Sequence, residues 1–182
     1  MTAPLLNPPL RPQDHVQGRA DAPVTLVEYG DYECPYCGMA HPIVRAVQRR
    51  MGDALRFAFR HFPLAQIHPH AEHAAEIAEA AGERGRFWPM HDLLFENQQE
   101  LDDIHLVGYA AQLGIDAASA EAALRSHAFA EPVRRDFLSG VRSGVNGTPS
   151  FFINGVRYDG AWDEASLLAA LKLAARATVP AR

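Results

Sequence analysis

Cysteine is nearly absent from this chain, with two in 182 residues, so no disulfide framework holds the fold and stability has to come from a buried core. Lysine is scarcer still: Lys172 is the only one, and 17 basic residues stand against 22 acidic ones for a net charge of -5. No local basic run breaks that balance, which excludes a nucleic-acid groove and a polybasic membrane patch. Long apolar runs are missing too, since charges interrupt every stretch well short of the roughly 20 residues a bilayer needs. The opening "MTAPLLNPPLRPQDH" lacks a basic segment ahead of a continuous apolar one and is broken by Pro4, Pro8, Pro9 and Pro12, so it does not read as a secretory signal. The expected compartment is therefore the cytoplasm, although a mature periplasmic form that has lost a leader would read the same way. In the cytoplasm a close cysteine pair points to catalysis or metal binding rather than to a structural bridge.

What is present is ordinary for a globular protein, 48% hydrophobic and 21% charged, and the length suits one core with a sizeable insertion. "APVTLVEY" at 22–29 reads as a buried strand. From Pro35 to about Arg50, Met39, Ile43, Val44 and Val47 recur at helical spacing, and Pro42 within the run predicts a kink. "LRFAFR" at 55–60 alternates Leu55, Phe57 and Phe59 with Arg56, Ala58 and Arg60 and reads as a second strand, which makes a βαβ unit with a parallel sheet. The segment from about His70 to Val141 is alanine-rich, with helices expected near 70–81, 88–98, 103–113 and 117–127. "PSFFINGVRYDG" then gives a hairpin about Asn154-Gly155. A last helix starts at Asp163, a good N-cap, and carries Leu167, Leu168 and Leu171 inward. The fold class is α/β in the order βαβ, helices, ββα. The expected domains are a core of 14–64 plus 145–177, an inserted helical domain of 65–144 and a proline-rich extension of 1–13.

Both cysteines lie in "ECPYC", as Cys34 and Cys37, at the expected start of a helix. A disulfide fits that spacing, but so short a loop gives little entropic stabilisation, so chemistry explains the pair better than architecture. Cys34 sits where unpaired backbone N–H groups and the helix dipole favour an anion, which should lower its pKa. Cys37, one turn in, is suited to resolve a mixed disulfide. Glu28 lies on the buried strand, a costly place for a carboxylate, and is a candidate proton acceptor for Cys37. Thr148-Pro149 puts a proline at a strand entrance, where a cis peptide is expected.

Taken together, "APVTLVEYGDYECPYC", "FRHFPL", "FWPMHDLLFENQ" and "GVNGTPSFFING" resemble the DsbA-like branch of the thioredoxin superfamily, from about residue 14 to about 177. The resemblance implies a thioredoxin fold with an inserted helical domain and a thiol-disulfide oxidoreductase activity. It implies Cys34 as nucleophile, Cys37 as resolving thiol, Glu28 as buried acid, Pro149 as the cis-proline facing the disulfide, and Thr148 shaping substrate docking through its backbone. The central pair, Pro35 and Tyr36, matches glutaredoxins, whereas the periplasmic oxidases of this family usually carry Pro-His. A potential between roughly -230 and -180 mV is expected on that ground, well below the most oxidising members. The redox centre would be the dithiol itself, with no metal or nucleotide cofactor. Partners would be protein or small-molecule thiols and disulfides, glutathione among them, with a separate protein recycling the dithiol.

Other readings remain beside this one. A glutathione-dependent isomerase or transferase of the same fold generally dispenses with the cysteine pair. A metal-binding module would need Cys34 and Cys37 plus histidines. His68, His70 and His73 form the obvious histidine cluster, for which solvated side chains are the simpler reading. Phe87, Trp88 and His91 read as packing, and Trp162 as an anchor for the last helix.

Overall fold

The computed structural model describes residues 3–178. Its strands are β1 (His15–Gln17), β2 (Val24–Gly30), β3 (Leu55–His61), β4 (Ser150–Ile153) and β5 (Val156–Tyr158). Its helices are α1 (Pro35–Met51), α2 (Ala71–Gly82), α3 (Phe87–Glu96), α4 (Asp103–Gln112), α5 (Ala117–Arg125), α6 (Ala130–Arg142) and α7 (Glu164–Thr178). The strands form one sheet in the order β1-β3-β2-β4-β5. The described residues divide into two compact units, one of 3–29, Met39–Arg60 and 139–178, the other of Gly30–Gly38 and His61–Leu138.

The first unit is built on the sheet. Central β2 buries Val24, Leu26, Val27 and Tyr29, the near-continuous burial expected of a strand covered on both faces. It pairs antiparallel with β4, Glu28 opposite Phe151 and Tyr29 opposite Ser150. Val44 and Val47 of α1 and Leu167, Leu168 and Leu171 of α7 complete its apolar interior. The β4–β5 turn has φ of 48° at Asn154 and 80° at Gly155, the two positive values a type I′ hairpin needs. Asp163 caps α7 by accepting from the Ser166 N–H at 3.1 Å.

Arg60 departs from the alternation read in "LRFAFR": instead of facing solvent it is 0% exposed. Its guanidinium donates to Asp14 at 2.7 Å, to the carbonyls of Pro8 and Pro9 at 3.0 and 2.9 Å, and to the Tyr29 hydroxyl at 2.9 Å. A proline-rich segment makes good acceptors because its carbonyls are not committed to a helix or a ladder. Of the segment read as a separate 1–13 extension, the described residues 3–13 thus belong to this unit. Farther up the chain, the Leu6 N–H reaches the Gly155 carbonyl at 2.8 Å and the Arg157 N–H reaches Pro4 at 2.9 Å, covering the edge left by β5.

The second unit is helical. Small residues on α2, Ala71, Ala74, Ala75, Ala78 and Ala81, are buried with Ile77, which lets neighbouring helices approach closely. The sequence reading had four helices here and did not include α6 (Ala130–Arg142). Pro132 lies in the first turn, where its missing N–H costs no intrahelical bond. The division also differs from the expected domains, because 30–38 groups with the helices. The Gly30 carbonyl accepts from the Phe62 N–H at 2.8 Å, and the bonds described next tie the rest of that segment to this unit.

Candidate redox site

Cys34 is the residue just before α1, and Pro35 takes the first helical position, where a proline gives up nothing. The Cys34 N–H donates to the Asp31 carbonyl at 3.2 Å, and the Cys34 carbonyl accepts the first helical bond, from Gly38, at 3.1 Å. Both sulfur residues are buried, Cys34 at 4% exposure and Cys37 at 0%, while Tyr36 between them is 60% exposed. Any approach from outside therefore meets Cys34 and Tyr36 before Cys37. The Asp31 N–H points at Cys37 Sγ at 3.5 Å, a weak donor contact that favours negative charge on that sulfur.

Asp31 organises the loop. Its Oδ1 accepts from the Glu33 N–H at 2.8 Å, and its Oδ2 from the Leu64 N–H and from His68 Nδ1, both at 2.8 Å. Glu33 in turn accepts from the His70 N–H at 2.6 Å. On the other side Gln98 Nε2 donates to the carbonyls of Tyr32 at 2.7 Å and Cys34 at 2.9 Å. Gly38 makes room for this carboxamide, since a Cβ there would overlap it. Beneath the loop Tyr32 donates or accepts at His91 Nδ1 at 3.0 Å and packs on Phe95 with ring centroids 4.8 Å apart. Trp88 and Phe87 close on His91 with centroids at 5.2 and 5.9 Å, so the aromatic cluster packs as expected and supports the cysteine loop.

Glu28, Thr148 and Pro149 belong to the first unit. Glu28 is 2% exposed on β2. The Thr148–Pro149 peptide is cis and leads directly into β4. The histidines read as one cluster have separate partners: His68 is held by Asp31, the His70 backbone by Glu33, and His73 by Asp103 at 2.6 Å. Among the described residues, none of the side-chain groupings able to hold a metal includes Cys34 or Cys37. Sequence reasoning missed Asp31 and Gln98. Their signal was present only as neighbours, Asp31 three residues before Cys34 and Gln98 inside the segment "FWPMHDLLFENQ".

Gln98→Ala removes both carbonyl bonds at once. It is expected to destabilise the protein by about 1–3 kcal/mol, from two hydrogen bonds worth roughly 0.5–1.5 kcal/mol each. Urea unfolding with unchanged slope and a lower midpoint would register that loss, and an unchanged midpoint would contradict it.

A family profile described as Thioredoxin matches residues 10–173. Among solved structures the chain is similar to oxidised BdbD from Bacillus subtilis, with a TM-score of 0.84 at 24% identity over 96% of this chain and 98% of that one. It is also similar to DsbA2 from Pseudomonas aeruginosa, with a TM-score of 0.70 at 25% identity over 91% and 96%. The curated relatives it matches are longer proteins, of which it spans about a quarter. The Na(+)/H(+) antiporter NhaA 1 of Salinispora arenicola is 46% identical over 87% of this chain and 24% of its own length, and the NhaA of Herminiimonas arsenicoxydans 43% over 96% and 28%. No helix among the described residues is long and apolar enough to cross a membrane. With the profile spanning most of its length and its strands and helices overlaying those of the DsbA-type proteins, the chain belongs to the thioredoxin family.

Proposed function

We propose that this chain is a thiol-disulfide oxidoreductase of the DsbA type that works through Cys34 and Cys37. The observation that carries this reading is the placement of the two sulfurs: Cys34 at the N-terminus of a 17-residue helix and the more deeply buried Cys37 one turn inside it. Backbone N–H groups and the dipole at that terminus stabilise a thiolate at Cys34.

In the reductive direction the Cys34 thiolate attacks one sulfur of a substrate disulfide, forming a mixed disulfide and releasing the other sulfur as thiolate. Cys37 then loses its proton and attacks Cys34 Sγ, which closes the Cys34–Cys37 disulfide and frees the second substrate thiol. Two electrons pass from the protein to the substrate, and the reverse sequence oxidises a dithiol. Glu28 is proposed as the acceptor of the Cys37 proton, and Thr148 and Pro149 as the backbone that substrates dock against; these roles rest on the family resemblance. Tyr36, exposed between the cysteines, would meet the substrate first. Protein disulfides and small thiols such as glutathione are the proposed substrate class, with a recycling redox protein as partner.

The test runs both directions with the purified chain: reduction of insulin disulfides by dithiothreitol, and oxidation of a dithiol peptide by glutathione disulfide. Acceleration of either reaction that is lost without the cysteines is expected. Acceleration that survives the loss of both cysteines would overturn the proposal and move the chain to the glutathione-dependent isomerases and transferases of the same fold.

A further inference from the structure

The redox chemistry leaves unused a cluster in the helical unit formed by His73 and Glu76, one turn apart on α2, and His127, between α5 and α6. Donor atoms of all three lie within 4.8 Å of one another. Ligands on a tetrahedral zinc with bonds of about 2.0–2.2 Å stand about 3.4 Å apart, so modest side-chain rotation closes the set. From these positions we infer that His73, Glu76 and His127 bind a divalent transition-metal ion of the zinc class, with the fourth coordination position open to solvent.

Three observations point the same way. Glu76 is 3% exposed; its Oε1 pairs with His127 Nδ1 at 2.9 Å, while its Oε2 is buried with no hydrogen-bond partner among the described residues. A buried carboxylate oxygen left in that state is costly, and a cation beside it removes the cost. His73 is oriented from behind, its Nδ1 held by Asp103 Oδ1 at 2.6 Å, which leaves Nε2 for the ion in the carboxylate–histidine–metal arrangement common at zinc sites. His127 follows the C-terminus of α5 with φ of 50°, at a position glycine fills without strain. A histidine there presents its imidazole to Glu76 and to the His73 ring, whose centroid is 5.3 Å away.

Space for the open position exists. A cleft of about 620 Å³ is lined by Glu72, Glu76, His127, Glu131, Arg134 and Phe137, so water or a carboxylate from solution could complete the shell. Two imidazoles and one carboxylate suit zinc, nickel or copper better than calcium or magnesium, which prefer oxygen donors throughout. The acids Glu72 and Asp103 beside the cluster add a field that attracts a cation.

The experiment is calorimetric titration of ZnCl2 into the full chain with Cys34 and Cys37 oxidised, so that neither thiol can bind the ion. One equivalent is expected to bind per chain, and His73→Ala and His127→Ala are each expected to weaken it by at least about tenfold. Both histidines reach the surface, with side-chain exposures of 29% and 58%, so these variants keep the fold where Glu76→Gln could lose it. Zinc should also raise the melting temperature of the parent chain but not that of the double variant, because an ion that binds only the folded state stabilises it by mass action. Absence of binding, or binding that is unchanged in His73→Ala/His127→Ala, would overturn the assignment.

Discussion

Serine at position 34 is expected to reduce thiol-disulfide exchange by at least about three orders of magnitude, because an alcohol supplies no thiolate at neutral pH. Cys37→Ser should behave differently. Its Cys34 still attacks, but nothing resolves the adduct, so a covalent complex accumulates instead of turning over. Intact-mass spectrometry under non-reducing conditions would show the Cys37→Ser chain heavier by one substrate thiol, glutathione included, and dithiothreitol would remove the added mass. The contrast follows from burial: Cys34 retains 4% exposure and Cys37 none, so an incoming disulfide can reach only the first. If Cys34→Ser kept its rate, or if the adduct formed on Cys37 in the parent chain, the assigned roles would be wrong.

The second large effect concerns stability. Asp14 and Arg60 meet at 2.7 Å with side chains 1% and 0% exposed. Removing either partner strands a buried charge, and Asp14→Ala or Arg60→Met is expected to cost about 3–5 kcal/mol. The double variant Asp14→Leu/Arg60→Met should recover much of that loss, since a buried ion pair is often no better than apolar residues of similar size. Burial alone would raise the Asp14 pKa, but the hydrogen bonds from Arg60 and Arg11 outweigh it and hold the carboxyl below its ordinary value of 3.8. A carboxyl depressed on folding stabilises the native state at pH values above its unfolded pKa, and that contribution fades as the pH falls through the folded one. The stability gap between the parent chain and Asp14→Asn should therefore be full at neutral pH, begin to shrink as the pH falls below about 4, and lose its pH-dependent part once the pH passes the folded pKa. Urea unfolding at a series of pH values measures it; a gap independent of pH down to full acid unfolding would contradict the linkage.

Legibility in the sequence followed the range of the interactions. Local signals were reliable. The β-branched run at β2, the Asn154-Gly155 turn, the Asp163 cap and the helical spacing of α1 each depend on neighbours within a few residues, and all appear in the structure. Short β1 went unread because three residues carry no periodicity; it exists by pairing with β3, Val16 opposite Ala58. Helix α6 went unread; its Pro132 lies in the first turn, where a proline is harmless. Arg60 read simply as one of the residues alternating with Leu55, Phe57 and Phe59, because its partners lie 31 to 52 positions away, three of the four in the proline-rich segment. In the cysteine segment, the pair itself was plain, but the supports were not. Asp31 and Gln98 act through backbone groups that no side-chain pattern announces. The histidines show the same limit: proximity in sequence suggested His68, His70 and His73 as a group, whereas the fold keeps only His73 and pairs it with His127.

The central claim is that Cys34 and Cys37 form one reversible two-electron couple. Thiol titration across a series of glutathione redox buffers tests it most directly. The account predicts a single two-electron transition, with Pro35 and Tyr36 setting it between roughly -230 and -180 mV. A transition near -120 mV would keep the couple but contradict the role given to Tyr36. No reversible transition at any buffer ratio would mean that "ECPYC" is not a redox pair, and the proposed function would fall with it.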